Sequence, residues 1–133
     1  MEQEARQNLS SREVVVLAED YDALVAWYVE VLGFRVASRF DDGYRYTNLE
    51  NENGLRIGVA PASEAGVLPG ERAKNTVLLQ IEVPDVQAFF ARLRASGTAI
   101  LFGPSRDETG AFWFGGFADS EGNPIWVVDE NCP

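Results

Sequence analysis

The order strand, amphipathic helix, three short strands is written twice along this chain, and no other feature restricts its fold so strongly. In the first copy, "EVVVL" (residues 13–17) is β-branched and reads as a strand. "YDALVAWYVEVLGF" follows. It spaces Leu24, Trp27, Tyr28, Val31 and Leu32 along one helix face and closes at Gly33. Three strand-like pieces come next, "FRVASRF", "YRYTNLE" and "LRIGVA", separated by turns at residues 41–43 and 51–54. The second copy begins with "TVLLQIEV". Pro84-Asp85 then opens a helix that aligns Val86, Phe89, Phe90 and Leu93 and ends at Gly97. "TAILFG", "AFWFGGFAD" and "PIWVV" supply its three strands, with "SEGN" as the last turn.

A βαβββ unit of this size cannot bury both faces of its own sheet, so the two halves should pack together or pair with a second chain. The fold class expected is α+β, built from two tandem βαβββ modules. Residues 1–11 are polar and unpatterned and are expected to be a flexible N-terminus. A single domain then spans 12–133. Module 1 covers about 12–60, a linker with Pro61, Gly66, Pro69 and Gly70 covers 61–74, and module 2 covers about 75–129.

Composition removes several classes of function. At 133 residues the chain is long enough for one cored domain. It has neither a membrane-length apolar run nor a signal-type opening, so a soluble, cytoplasmic protein with no membrane partner is expected. Cys132 is the only cysteine, which rules out an internal disulfide. Eleven Lys plus Arg against 21 Asp plus Glu give a net charge of −10. Such a surface repels phosphate backbones, disfavouring nucleic acid, and concentrates cationic small molecules, or it serves solubility alone. There is no histidine. The usual transition-metal ligand, the neutral-pH general base and every Ser-His or Cys-His nucleophile are therefore excluded. Any metal would have to sit on oxygen ligands.

Three stretches carry a family likeness. "AWYVEVLGF" (residues 26–34), "VPDVQAFFARLRASG" (83–97) and "FGGFADSEGNPIWVV" (114–128) resemble the first helix end, second helix and closing hairpin of the vicinal oxygen chelate superfamily. That superfamily includes glyoxalase I, fosfomycin-resistance enzymes, extradiol dioxygenases and bleomycin-resistance proteins. The resemblance implies paired βαβββ modules forming a curved mixed sheet around a cleft. Its enzymes hold one divalent metal there, on the first and last strands of the modules. Counting back from Asp20, the usual histidine position falls on Glu13, a possible oxygen ligand. Residues 76–78 offer no ligand in the second module, the closing glutamate is Trp126, and Arg56 or Gly58 holds the remaining place. Glu82 and Glu130 are expected to be solvated. One carboxylate is too few for Mg²⁺ or Mn²⁺, so neither a metal nor a cofactor is expected.

Strand alternation puts Phe112, Phe114 and Gly116 on one face with Trp113 opposite. Trp126, Val128 and Glu130 share a side, and Arg45 and Thr47 oppose Tyr44 and Tyr46. The ligand-binding candidates are Glu13, Arg45, Arg56, Phe112, Phe114 and Trp126. For each a plainer role competes: the rings could line a closed core, and Glu13 could simply pair with Arg56. Trp27, Tyr28, Phe89 and Phe90 are expected in the core. The resemblance points to the metal-free, bleomycin-resistance-like branch: a small-molecule binder that sequesters an aromatic or cationic ligand in a homodimer cleft. The alternative is a glyoxalase-like lyase, isomerase or dioxygenase in which Glu13, its pKa raised by burial, does acid–base work beside an arginine. A third possibility is a protein-association subunit with a vestigial cleft.

Overall fold

The computed structural model describes residues 7–133. The flexible N-terminus expected over 1–11 falls mainly on residues 1–6, which lie outside the described residues, while 7–13 carry no regular structure. Eight strands and two helices follow in the expected order: β1 (Val14–Ala18), α1 (Tyr21–Leu32), β2 (Arg35–Asp41), β3 (Arg45–Glu50), β4 (Arg56–Pro61), β5 (Leu79–Glu82), α2 (Val86–Ala95), β6 (Ile100–Arg106), β7 (Trp113–Ala118) and β8 (Pro124–Val128). The linker contributes two short 3₁₀ turns, Ser63–Ala65 and Arg72–Lys74.

The two modules are built alike. Each is a four-stranded sheet, β1-β4-β3-β2 or β5-β8-β7-β6, in which the first strand pairs in parallel with the last and the other pairs are antiparallel. Each helix begins at an aspartate: the Asp20 side chain accepts from the Ala23 amide (3.2 Å) and Asp85 from the Ala88 amide (3.0 Å). These caps satisfy donors that the first helical turn leaves open. Gly33 ends α1 in the left-handed conformation that its missing Cβ permits (φ 76°).

β6 runs three residues beyond the expected "TAILFG", through Pro104 to Arg106, with irregular register between Phe102 and Ser105. It is an edge strand, so the missing proline N–H breaks no ladder.

One core serves both modules. Leu24, Val25 and Tyr28 of α1 and Leu49, Ile57 and Val59 of β3 and β4 join Phe90 and Leu93 of α2 and Phe117, Ile125 and Val127 of β7 and β8. The Trp27 ring lies 6.4 Å from that of Phe117, so the first helix packs on the second module's sheet. The halves thus pack on each other within one chain, and Trp27, Tyr28, Phe89 and Phe90 belong to this core.

Polar ties reinforce the junction. The Tyr28 hydroxyl donates to Asp119 (2.9 Å) in the closing turn, and the Glu121 carboxylate accepts the Glu19 and Asp20 amides (2.9 Å each) at the start of α1. Arg72 of the linker bridges Glu19 (2.7 Å) and Glu121 (3.1 Å). The helices cover one face of each sheet and leave the other open.

Candidate functional site

The open faces carry opposite chemistry at matching positions. Pairing across module 1 aligns Val15, Gly58, Asn48 and Ser38; across module 2 it aligns Gln80, Trp126, Gly116 and Phe102. Gly58 and Trp126 are counterparts, and the β1 residue beside Gly58 is Val15. Glu13 reaches the same face from just before the strand.

In module 2 the face is aromatic. Phe102 lies 6.1 Å from Trp126, edge to face, and 6.4 Å from Phe114; Phe112 continues the row 6.1 Å from Phe114. Trp113 points to the core side instead. Trp126 is 46% exposed and Phe102 39%. A side chain at Gly116 would collide with the Phe102 ring, so this glycine lets Phe102 fold across the strand. The rings of Phe102, Phe114 and Trp126 line a hollow of about 320 Å³ together with Gln80 and Val128. Phe112, Phe114 and Trp126 therefore share one side of the sheet, away from the helices.

In module 1 the middle of the face is polar, with the exposed Val15 and Phe40 beside it. Glu13, whose side chain is only 4% exposed, accepts hydrogen bonds from the Tyr46 hydroxyl, Asn48 Nδ2 (2.9 Å) and Arg56 Nε (3.3 Å). Asn48 Oδ1 accepts in turn from Ser38 Oγ (2.6 Å). Gly58 makes room for this network, since a Cβ there would stand 2.6 Å from the Glu13 carboxylate. Burial pushes the Glu13 carboxyl up, but the bonds from Tyr46, Asn48 and Arg56 outweigh it and hold the group below its ordinary 4.5. Burial and the neighbouring Glu13 charge raise Tyr46 to about 12. The expectation of a Glu13 raised by burial is thus reversed: its charge is stabilised, which makes it a weak base.

Arg45 lies on the other side of β3. It meets Glu64 through a fork (Nε 2.8 Å, Nη2 2.7 Å), its guanidinium sits 5.1 Å over the Tyr21 ring, and its neighbour on that side, Thr47, is buried against Tyr21. The sheet separates it from Glu13 and Arg56. Arg56 and Glu13 do come together, as an ion pair. The aromatic hollow and the one lined by Glu13 and Arg56 have no lining residue in common.

Tyr46, Asn48 and Phe102 escaped the sequence reading. Alternation placed Tyr46 opposite Arg45, but no local signal linked it or Asn48 to Glu13. Phe102 sat inside an apolar run whose register is irregular. Glu82 and Glu130 are exposed.

A divalent metal does not fit these residues. Among the described residues no group of three or more His, Cys, Asp or Glu side chains converges. The matching positions hold Val15, Gly58, Gln80 and Trp126, and Glu13, the nearest carboxylate, is already engaged by three donors, one of them a guanidinium. Mg²⁺ or Mn²⁺ needs several oxygen ligands around one point.

No curated protein sequence matches the chain. Solved structures do. A member of the glyoxalase/bleomycin resistance protein/dioxygenase superfamily from Sphaerobacter thermophilus is 19% identical, with a TM-score of 0.75 over 92% of this chain and 98% of that one. TnmS3, an antibiotic binding protein from Streptomyces sp. CB03234, is 22% identical, with a TM-score of 0.68 over 93% and 98%. TioX from Micromonospora sp. ML1 is 25% identical, with a TM-score of 0.65 over 90% and 98%. Residues 12–127 match the profile of the Glyoxalase/Bleomycin resistance protein/Dioxygenase superfamily, which takes in both modules, and the chain belongs to that superfamily.

Proposed function

We propose that the protein binds an aromatic small molecule without a metal and sequesters it unchanged, holding its rings against Trp126, Phe102 and Phe114. The observation that carries this reading is the exposed ring cluster at the position where metal-dependent relatives would need a ligand. Large aromatic side chains left open on a sheet face, around a nearly all-apolar hollow, fit a flat partner. The antibiotic-binding role that TnmS3's name states is in keeping with it.

The cleft is completed by a second copy. In a two-fold dimer the polar face of one protomer's module 1 would stand across from the aromatic face of its partner's module 2, and the same contact would occur twice. Enclosing a ligand on both sides buries more of it than one open face can.

The test is a fluorescence titration with a panel of aromatic antibiotics, alongside sedimentation to establish the oligomer. Quenching of tryptophan emission is expected, with affinity at the micromolar level or tighter, with loss in Trp126→Ala, and with the compound recovered intact from a dimeric protein. Recovery of a chemically altered compound, or stoichiometric metal in protein purified without added metal, would replace this reading with the enzymatic one.

A further inference from the structure

We propose that Arg56 anchors an anionic oxygen group on the ligand, so that the molecule held against Trp126 carries a carboxylate or similar acid rather than a cation. This inference rests on the reading above and adds the charge of the ligand to it.

Hydrogen-bond partners are unequally shared in the polar face. A carboxylate offers about four acceptor positions. Glu13 has three of them filled, by Tyr46, Asn48 and Arg56, and its side chain is almost wholly covered. It has little left for a cationic ligand. Arg56 is the reverse. Only its Nε–H is engaged among the described residues, and its side chain is 38% exposed. A guanidinium has five N–H donors arranged as a fork that matches a carboxylate with two parallel bonds.

The surroundings agree. The hollow beside Arg56 measures about 450 Å³ and is lined by Ser11, Arg12, Glu13, Val14, Gly54 and Leu55 as well. It combines two guanidinium groups and a serine hydroxyl with one carboxylate that is already satisfied. Arg45 meets Glu64 through two nitrogens and Arg72 is shared between Glu19 and Glu121; Arg35, like Arg56, meets its partner Glu50 through one nitrogen, but it does not line the hollow. In a chain of net charge −10, a locally cationic hollow on the binding face selects what the rest of the surface repels. It would be a filter for the ligand's charged end.

Two dyes with the same ring systems separate the ideas: anilinonaphthalene sulfonate, which carries an anionic oxygen group, and uncharged phenylnaphthylamine. Both become fluorescent in apolar sites. With the full chain, Arg56→Gln is expected to weaken the sulfonate dye about tenfold, as loss of a charge-assisted pair implies, and to change the neutral dye less than about twofold. Arg56→Lys, which keeps the charge and loses the fork, should fall between. Trp126→Ala should weaken both dyes. If Arg56→Gln shifts neither dye, or both equally while thermal unfolding stays at wild-type temperature, the anion site is overturned and the aromatic platform stands. If Trp126→Ala leaves both dyes unchanged, the aromatic platform is overturned, whatever Arg56 does.

Discussion

Gly58 and Trp126 hold the same place in the two sheets. Each sits on the last strand of its module, with its neighbour on the first strand to one side and on the third strand to the other. One position is empty so that a buried carboxylate network can close over it, and the other is filled by the largest side chain available. The two modules share a backbone plan and have divided the chemistry between them.

Gly58→Ala should therefore cost stability although the change is a single methyl group. The added Cβ would press on the Tyr46 hydroxyl and the Glu13 carboxylate, and overpacking of that kind costs about 2 kcal/mol. In a Tyr46→Ala background the same change should cost measurably less, because the nearest obstacle is gone. Urea denaturation of the four proteins of this cycle checks it; equal costs in both backgrounds would show that the glycine serves another purpose.

The Glu13 network gives a signature in pH. Folding holds the Glu13 carboxyl below 4.5, so its contribution is complete above that value and is lost as pH falls through the folded-state value. The stability gap between the wild type and Glu13→Gln should therefore shrink as pH is lowered from about 6 to about 3. Tyr46 behaves oppositely. Its proton is held up to about 12, so its contribution is complete below pH 10 and is lost as pH rises toward 12. A Tyr46→Phe variant should show no such alkaline loss.

Asp119 joins the modules. It accepts from the Tyr28 hydroxyl, the Glu121 and Asn123 amides and Asn123 Nδ2, all at 2.9–3.0 Å, and is buried. Tyr28→Phe removes one of these bonds and should cost about 1 kcal/mol. Asp119→Ala strands a buried phenol and undoes the closing turn together, so about 3 kcal/mol is expected, read by thermal unfolding. Equal losses in the two variants would contradict a shared hub.

Arg72 should matter more than its place in a linker suggests. Its side chain is 13% exposed and its partner Glu121 10%, whereas the Lys74–Glu71 pair nearby stands in solvent. Arg72→Ala should cost about 2 kcal/mol, since it removes one side of a mostly covered charge cluster, and Lys74→Ala should leave the unfolding midpoint unchanged. A difference that vanished in moderate salt would reduce Arg72 to a surface contact.

Trp126→Ala separates binding from folding. Half-open to solvent, the ring contributes little to the core, so the variant should unfold within a few degrees of wild type and yet lose ligand-induced quenching. A large drop in unfolding temperature would instead assign Trp126 to structure.

Much of this protein was legible in the chain itself. Helical spacing in "YDALVAWYVEVLGF" and "VPDVQAFFARLRASG" locates both helices, because a 3.6-residue period and an aspartate cap act over a few residues. Two-residue alternation in "AFWFGG" separates Phe114 from Trp113 for the same local reason. Residues 26–34, 83–97 and 114–128 together carry the likeness to the superfamily, whose profile matches residues 12–127. The missing histidine, and a tryptophan where the family resemblance implies a glutamate, are equally plain in the sequence.

Contacts across the sheets were a tertiary matter. Tyr46 and Asn48 meet Glu13 from more than 30 positions away, and only the register of β1, β4 and β3 brings them together. Arg45 looked equivalent to Arg56 as a lone cation on a strand, yet it lies on the helix side with Glu64. Phe102 joined the aromatic face because a bulged edge strand carries it over Gly116. Periodicity says which residues share a face. Which residues on that face touch, and whether a carboxylate there is free or already bonded, depends on strand pairing between distant segments, and that is settled only when the chain has folded.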